Sequence, residues 1–458
     1  MLKAVLPLTL VMSLRFLGLF CVLPVISLYA QSFHSSTFFL LGLAVGGAYL
    51  TQIIFQTPLG ILSDKIDRKK VVIFGLFVFM IGSTICAMAH DIITLIIGRL
   101  IQGAGAIGGI VSAQISDFVR EEKRTKAMAI MGGGIFASFT IGMLLGPIVG
   151  VHFGVDWLFA ITAFLSLFSI VLLWVKVPST PKISYSFEES TQQQAWREVL
   201  KNKNLVIMNL SSFLEKTFMT FIFVLIPLLF VNDLGLKEDD LWKIYIPGAF
   251  LGILALAPAS ILAEKYSKAR FVMSYGIVLF IGAFGLIGFG AKSHLYIFVA
   301  GIILFFIGFA TLEPIMQSLT SKYAKINLRG SALSIFTTYS YLGSFVGGVL
   351  GGIAYGRVDI FYIALSVCFV CVLWLLCIWA LNNPTKQKNL YLSIAQYDTN
   401  KLAQIQNQQG VIECYINHTE GVIIFKYDSD LLKTDEAIKL VETIKISPSK
   451  IHTQNPHI

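Results

Sequence analysis

Five ionisable side chains lie inside otherwise apolar stretches: Arg15, Arg99, Glu215, Lys216 and Glu313. A charge away from water is costly, so each is expected to hold a partner, a charged solute or a proton. All seven histidines fall in predicted loops or in the C-terminal tail. A proton carrier within the apolar stretches is therefore a carboxylate. Glu313 fits best, in the run Ala310-Thr-Leu-Glu313-Pro314, with Gln317 one turn later on the same face. The alternative for Glu313 is a structural hydrogen bond to backbone freed by Pro314. Glu215 and Lys216 are neighbours, so on a helix they point about 100° apart. They are expected to have separate partners or a wet cavity. Arg15 and Arg99 are each suited to neutralising a carboxylate or binding an anionic solute. Gln52 and Gln56, one turn apart, either line a cavity or make packing hydrogen bonds. The same choice holds for Tyr245, Tyr275, Tyr339 and Tyr341.

These residues sit on a chain of 458 residues that is 56% hydrophobic and 13% charged. A soluble domain averages about 25% charged residues, which argues against a soluble enzyme or a nucleic-acid binder. Apolar stretches near the ~20 residues needed to cross a hydrocarbon core recur twelve times. They cover 5–29, 39–62, 71–89, 92–118, 127–151, 157–177, 205–231, 241–263, 271–290, 295–321, 331–356 and 360–381. With no water to satisfy the backbone, they must be helices. The first is too long for the apolar core of a signal peptide and lacks a small-residue cleavage site, so it is read as retained.

Alternate loops differ in basic residues. One side carries twenty, among them Lys65, Arg68, Lys69, Lys70, Arg120 and Arg124, and the other carries four. That asymmetry predicts that the basic side and both termini face the cytoplasm. A polar loop at 178–204 separates residues 1–177 from 205–384, six spans each. The tail at 389–447 has soluble composition and reads as strand, helix, hairpin and helix, a βαββα module of ferredoxin-like outline.

The halves echo each other. Gly60-Ile-Leu-Ser-Asp64-Lys65 with Arg68 parallels Ser260-Ile-Leu-Ala-Glu264-Lys265 with Lys268. Gly142 and Gly146 follow Arg124 at the spacings by which Gly347 and Gly351 follow Arg329. Internal repeats of this kind are common in secondary transporters, with the solute bound between the halves. Gly142-x3-Gly146-Pro147 would let helices approach closely, and Pro147 loosens the backbone.

The run from Gly60 to Lys70 resembles the loop signature of the major facilitator superfamily: a glycine, an acid four residues on, then a basic cluster. Gly98-Arg99-Leu-Ile-Gln102-Gly103 resembles a second motif linked to proton coupling. Gly133, Gly142, Gly146, Pro147 and Gly150 resemble the motif of drug–proton exchangers. The order and spacing hold over residues 1–384. With its short tail and runs such as Ser13-Leu-Arg15 and Cys21-Val-Leu-Pro24, the chain is similar to the YajR group of efflux proteins. Two positions depart from the motifs: Asp67 and Val151 stand where glycines are usual.

The resemblance implies two pseudo-symmetric six-helix bundles working by alternating access. It implies a latch in which Asp64 caps the start of the eleventh span near Ser331 while Arg68 pairs with Asp117. The alternative is a solvated turn, which suffices for Lys69 and Lys70. The expected activity is proton-coupled efflux of small lipophilic solutes by a monomer in the inner or plasma membrane. The expected partners are membrane lipid, a small-molecule substrate and protons, with no nucleic acid. No Walker-type loop is present, so the expected energy source is the proton gradient, without cofactor or metal. Proton-coupled transport of a metabolite or sugar, and sensing through the tail, are the alternatives.

Overall fold

The computed structural model describes residues 2–445 apart from 120, 179–191, 265, 267, 292–293, 325–327, 382–386, 399–400, 407, 418–420 and 430. Among the described residues, eleven helical segments are long and apolar enough to cross a membrane. The expected first span is instead divided. Helix α1 (Leu2–Phe20) is followed by a turn over 21–25 and then by α2 (Ile26–Ser32). Pro24 accounts for the break, since its ring excludes a helical carbonyl four residues back, at Phe20.

α3 (Phe38–Lys65) and α4 (Arg68–Ala87) follow the expected spans. The fourth span is interrupted at 105–107 between α5 (Ile92–Ala104) and α6 (Gly108–Phe118). At Gly105 a Cβ would lie 2.3 Å from the Gly75 carbonyl oxygen, so only glycine lets the backbone pass this close to α4. α7 (Glu121–His152) and α8 (Val155–Lys176) complete the first set. The polar loop then contains a helix that was not expected, α9 (Gln192–Lys201), which buries Val199 and packs Trp196 against the main core.

The second set comprises α10 (Lys203–Leu228), extended by a π turn at 229–233, then α11 (Leu241–Glu264) and α12 (Ala269–Gly290). α13 (Leu295–Tyr323), α14 (Arg329–Tyr355) and α15 (Ile360–Trp379) finish it. The two sets are built alike. α1 packs on α7 through Gly142 and Gly146, whose Cβ positions lie 2.9 Å from Cys21 N and 2.2 Å from Cys21 O. α10 packs on α14 through Gly343 and Gly347, whose Cβ positions lie 2.2 Å from the carbonyl oxygens of Phe213 and Thr217. Helix ends match too. Lys69 Nζ, on α4, donates to the carbonyls of Trp174 (3.0 Å) and Val177 (2.6 Å) at the end of α8. Arg270, on α12, donates to the Leu381 carbonyl just after α15.

The sets meet along α3 and α14. Gly42 and Gly46 face Gly348, Phe345 and Val349, and Gly352 faces the Phe38 carbonyl, all at backbone contact. At the same end Asn232 Nδ2 donates to Gln31 Oε1 at 3.2 Å, and Phe38 meets Tyr355 edge-on. Toward the basic end, Cβ positions at Gly60 and Gly330 have nothing within 4 Å.

The tail follows the predicted order: β1 (Gln387–Ser393), α16 (Leu402–Gln406), β2 (Val411–Asn417), β3 (Val422–Asp428) and α17 (Thr434–Glu442). Its antiparallel sheet has the order β1-β3-β2. Ile423, Phe425 and Tyr427 alternate into a core with Ala437 and Val441, as period-two patterning requires. Lys426, on the opposite face of β3, donates to the Lys322 carbonyl near the end of α13 at 3.1 Å.

Candidate transport site

Helices α10 and α13 bring three of the predicted residues together. Lys216 Nζ lies 2.6 Å from Glu313 Oε2 and 3.3 Å from Glu215 Oε2. The expectation of separate partners for Glu215 and Lys216 does not hold, because the long lysine side chain swings back over its neighbour. Gln317 Nε2 donates to Glu313 Oε1 at 3.2 Å, as the one-turn spacing predicts. Among the described residues Glu313 therefore bonds to side chains rather than to backbone near Pro314. Glu215 is fully buried, and neither of its oxygens makes a hydrogen bond of good geometry. The Glu313 side chain keeps 23% of its exposure, so the cluster is open on one side.

Two carboxylates thus share one ammonium. With one proton bound the cluster would carry no net charge, and a net charge at this depth is unfavourable. Aromatic rings wall it. Lys216 Nζ stands 4.7 Å from the ring centre of Phe309, which packs on Phe139 of α7. Phe139 also meets Phe223 and Phe306, so this apolar wall spans both sets of helices.

The two buried arginines differ. Arg99 Nε donates to the Ala44 carbonyl (3.1 Å), Nη2 to Val45 (3.3 Å) and Nη1 to Gln102 Oε1 (2.5 Å). Gln102 passes the chain on to Ser83 at 2.9 Å. Arg99 therefore ties α5 to α3 and α4. Neither Arg99 nor Arg15 pairs with a carboxylate among the described residues, contrary to one of the two expectations for each. Arg15, 1% exposed, donates through Nη2 to the Gly105 carbonyl at 3.2 Å, in the break of the fourth span. Among the described residues its Nε and Nη1 make no hydrogen bond of good geometry, although the Tyr341 hydroxyl interacts with the guanidinium.

Gln52 and Gln56 make no packing bonds of the kind considered. Both amide atoms of Gln52 and Oε1 of Gln56 lack partners. Tyr49, which sequence reasoning missed, lies on the same face of α3 and stacks on Tyr341 at 6.3 Å. Its i, i+3, i+7 spacing with the two glutamines was the available signal. Tyr245 is fully buried with an unpartnered hydroxyl, whereas Tyr275 is half exposed on the bundle surface.

At the basic end Arg68 Nε lies 3.0 Å from Asp117 Oδ2, the predicted pair. The side chain of Asp64 and the backbone at 325–327 lie outside the described residues. Asp67 replaces the motif glycine for a visible reason: its Oδ1 accepts from Lys69 N at 3.0 Å and caps α4. Gly142 and Gly146 sit where α7 presses against the end of α1 and the turn that follows it, and Pro147, next in the helix, is buried.

A sequence model of the Major Facilitator Superfamily matches residues 8–257 and 246–399. The chain belongs to that superfamily. Within it, the inner membrane transport protein YajR of Escherichia coli is 32% identical over 423 residues, 92% of each chain. The chain is a transporter of this YajR-like group. The multidrug resistance protein MdtH of Blochmanniella floridana is 26% identical over 344 residues, 73% of this chain and 82% of that one. The crystal structure of a D-xylose–proton symporter superposes with a TM-score of 0.69 at 15% identity, covering 83% of this chain and 98% of that one. At that identity the likeness extends to the fold of the superfamily alone.

Proposed function

We propose that this transporter exports small lipophilic solutes in exchange for protons, by alternating access across the inner or plasma membrane. The observation that carries the reading is the pair Glu215 and Glu313 sharing Lys216, with Glu313 partly exposed and aromatic rings beside it. A solute entering this wall and a proton leaving the carboxyl pair compete for the same space and charge, which is the condition for exchange. The relatedness to a multidrug resistance protein supports efflux over uptake.

In this reading α1 and α2 together make the twelfth crossing, and each set of six helices, 1–177 and 205–384, rocks as a unit about the segment 178–204. The twenty basic loop residues support an orientation with the Arg68–Asp117 end, both termini and the tail in the cytoplasm. The glycine contacts of α3 and α14 then close the outer side. The state is one whose cavity faces inward; Arg68 and Asp117 are already paired in it, and Asp64 completes the latch when the inner side closes. The tail is a ferredoxin-like module of three strands, and the protein works as a monomer on lipid, solute and protons without a cofactor.

The test is proton release from inverted vesicles carrying an imposed pH gradient, on addition of lipophilic cations, lipophilic acids and sugars. Wild type should release protons on addition of a transported lipophilic compound, and Glu313→Gln should not. Response to sugars alone would replace export of lipophilic solutes by metabolite transport. A Glu313→Gln protein that still exchanges protons would remove Glu313 from the coupling path. For the latch, Asp64→Asn should weaken the outward-open state; unchanged flux and unchanged cytoplasmic accessibility would sink that role.

A further inference from the structure

We infer that Arg15 is the anchor of a carboxylate-binding subsite, so that the transported solutes include amphiphilic monocarboxylates. The inference rests on the export reading above for the word transported, and on geometry alone for the binding.

A guanidinium has five N–H donors and no acceptor, and a buried one normally spends them on carbonyls or a carboxylate. Arg99 does so, on Ala44, Val45 and Gln102. Arg15 is equally buried, yet its one hydrogen bond of good geometry runs from Nη2 to Gly105, and Nε and Nη1 are left open. Its charge has no carboxylate opposite it among the described residues. The faces of Phe79 and Phe16, 5.1 and 5.5 Å from its Cζ, hold the side chain without using those donors.

The surroundings supply what an oxyanion with an apolar body needs. The Tyr341 hydroxyl lies beside the guanidinium. It also stands 3.4 Å from the Cβ position of Gly108, which is 3.7 Å from Met12 Cε, one turn before Arg15. Gln56 Nε2 reaches to 4.0 Å from the Cβ position of Gly109, the next residue. Helices α1, α3 and α14 therefore converge on the start of α6, where two glycines keep side-chain volume low. Gln52, with a wholly unpartnered amide, is one turn away from Gln56 on α3. The Tyr49–Tyr341 pair is within electrostatic reach of both Arg15 and Lys216. The two clusters are opposite in charge balance: one sets two carboxylates against a single ammonium, the other sets a guanidinium against no carboxylate among the described residues.

A planar carboxylate suits a guanidinium better than a spherical anion does, because two oxygens can meet two N–H groups. The other half of the solute would lie along aromatic rings. Multiply charged anions are disfavoured, since the described residues give the subsite a single unpaired cation.

The experiment uses full-length protein in nanodiscs of zwitterionic lipid, so that no anionic headgroup competes. Binding is read by the shift of the unfolding temperature and by tryptophan fluorescence, without any gradient. The probes are acetate, benzoate and decanoate, each beside its uncharged amide, with chloride at equal ionic strength. Wild type should bind benzoate or decanoate at least about tenfold tighter than the matching amide. That preference should vanish in Arg15→Gln and be partly kept in Arg15→Lys. Gln52→Leu, which breaks no hydrogen bond seen here, should fold normally and bind the acids several-fold more weakly. Equal affinity for acid and amide in wild type overturns the proposal, as does a preference that survives Arg15→Gln. Displacement by chloride alone would make the subsite a halide site and overturn the carboxylate assignment. Vesicle assays that find no proton exchange would overturn the export reading and leave this binding result standing.

Discussion

Gly347 and Gly348 are adjacent on α14, yet replacing each by alanine should have different consequences. A Cβ at Gly348 would lie 2.8 Å from Gly46 N, 2.9 Å from Gly46 Cα and 3.0 Å from Gly42 O, against 3.4–4 Å for ordinary contact. All three atoms are backbone, so no rotamer can relieve the clash and α3 must draw away from α14. Overpacking of this kind costs about 1–3 kcal/mol. The cost applies only while the two sets of helices are clasped at this end, so it moves the equilibrium by about 5- to 150-fold toward states open there. A Cβ at Gly347 would meet the Thr217 carbonyl at 2.2 Å, but α10 belongs to the same set as α14. That clash persists in both states and should lower the unfolding temperature without shifting populations. Pulsed dipolar spectroscopy between spin labels at Ser35 and Lys237 would read the outer opening, on a background with the six native cysteines replaced. Gly348→Ala should move the distance distribution to longer values, while Gly347→Ala and Gly285→Ala, whose Cβ position has nothing within 4 Å, should leave it in place. If Gly348→Ala leaves the distribution unchanged, or Gly347→Ala shifts it equally, the assignment of the α3–α14 contact as a state-dependent clasp is wrong.

Other outcomes follow from single contacts. Asp67→Ala removes the cap of α4 and should cost about 1 kcal/mol, whereas Asp67→Gly should cost a few tenths, measured by thermal unfolding; equal losses would show that the cap is not what holds the position. Arg68→Asp and Asp117→Arg should each impair flux, and the double exchange should restore much of it; an additive double variant would exclude pairing as the cause. In the tail, burial first and Glu413 second push the Cys414 thiol up to about 12. The folded tail therefore keeps the proton that an unfolded thiol releases above about 8.5. Its stability should be full below that pH and decline as pH rises toward about 12. Alkylation of Cys414 at pH 8.5, followed by mass spectrometry, should run on the order of a thousandfold slower than for a free thiol; fast modification would contradict the burial.

The identities of the spanning helices, the basic asymmetry of the loops and the sequence of strands and helices in the tail were legible because each depends on local composition. Eleven of the twelve expected spans coincide to within a few residues with helical segments long enough to cross a membrane, one of them interrupted at 105–107. A backbone in hydrocarbon has no alternative to the helix, so twenty apolar residues suffice to specify one. The Arg68–Asp117 pair was also foreseeable, since the resemblance to the superfamily implied it. The break after Phe20 was written in Pro24 but hidden by the apolar character on both sides. The break at 105–107 was less visible, because glycines in a membrane helix signal close packing as readily as a bend. Helix α9 was obscured by polar neighbours that dilute its short apolar face.

The sequence alone determined which residues are charged at membrane depth, and it could not determine what they face. Arg15 and Arg99 have the same chemistry and nearly the same burial, yet one is saturated by the carbonyls of α3 and the other has open donors. That difference depends on where two remote helices lie. Glu215 and Lys216 point apart as neighbours on a helix, and only the approach of Glu313 on α13 gathers all three. Likewise, glycine spacing announced that helices would touch, whereas tertiary packing decided that Gly347 serves one set of six and Gly348 joins the two. Side-chain chemistry is local and survives in the letters of the chain; partnership depends on separations of a few ångströms between segments up to hundreds of residues apart, and those exist only once the bundle has formed.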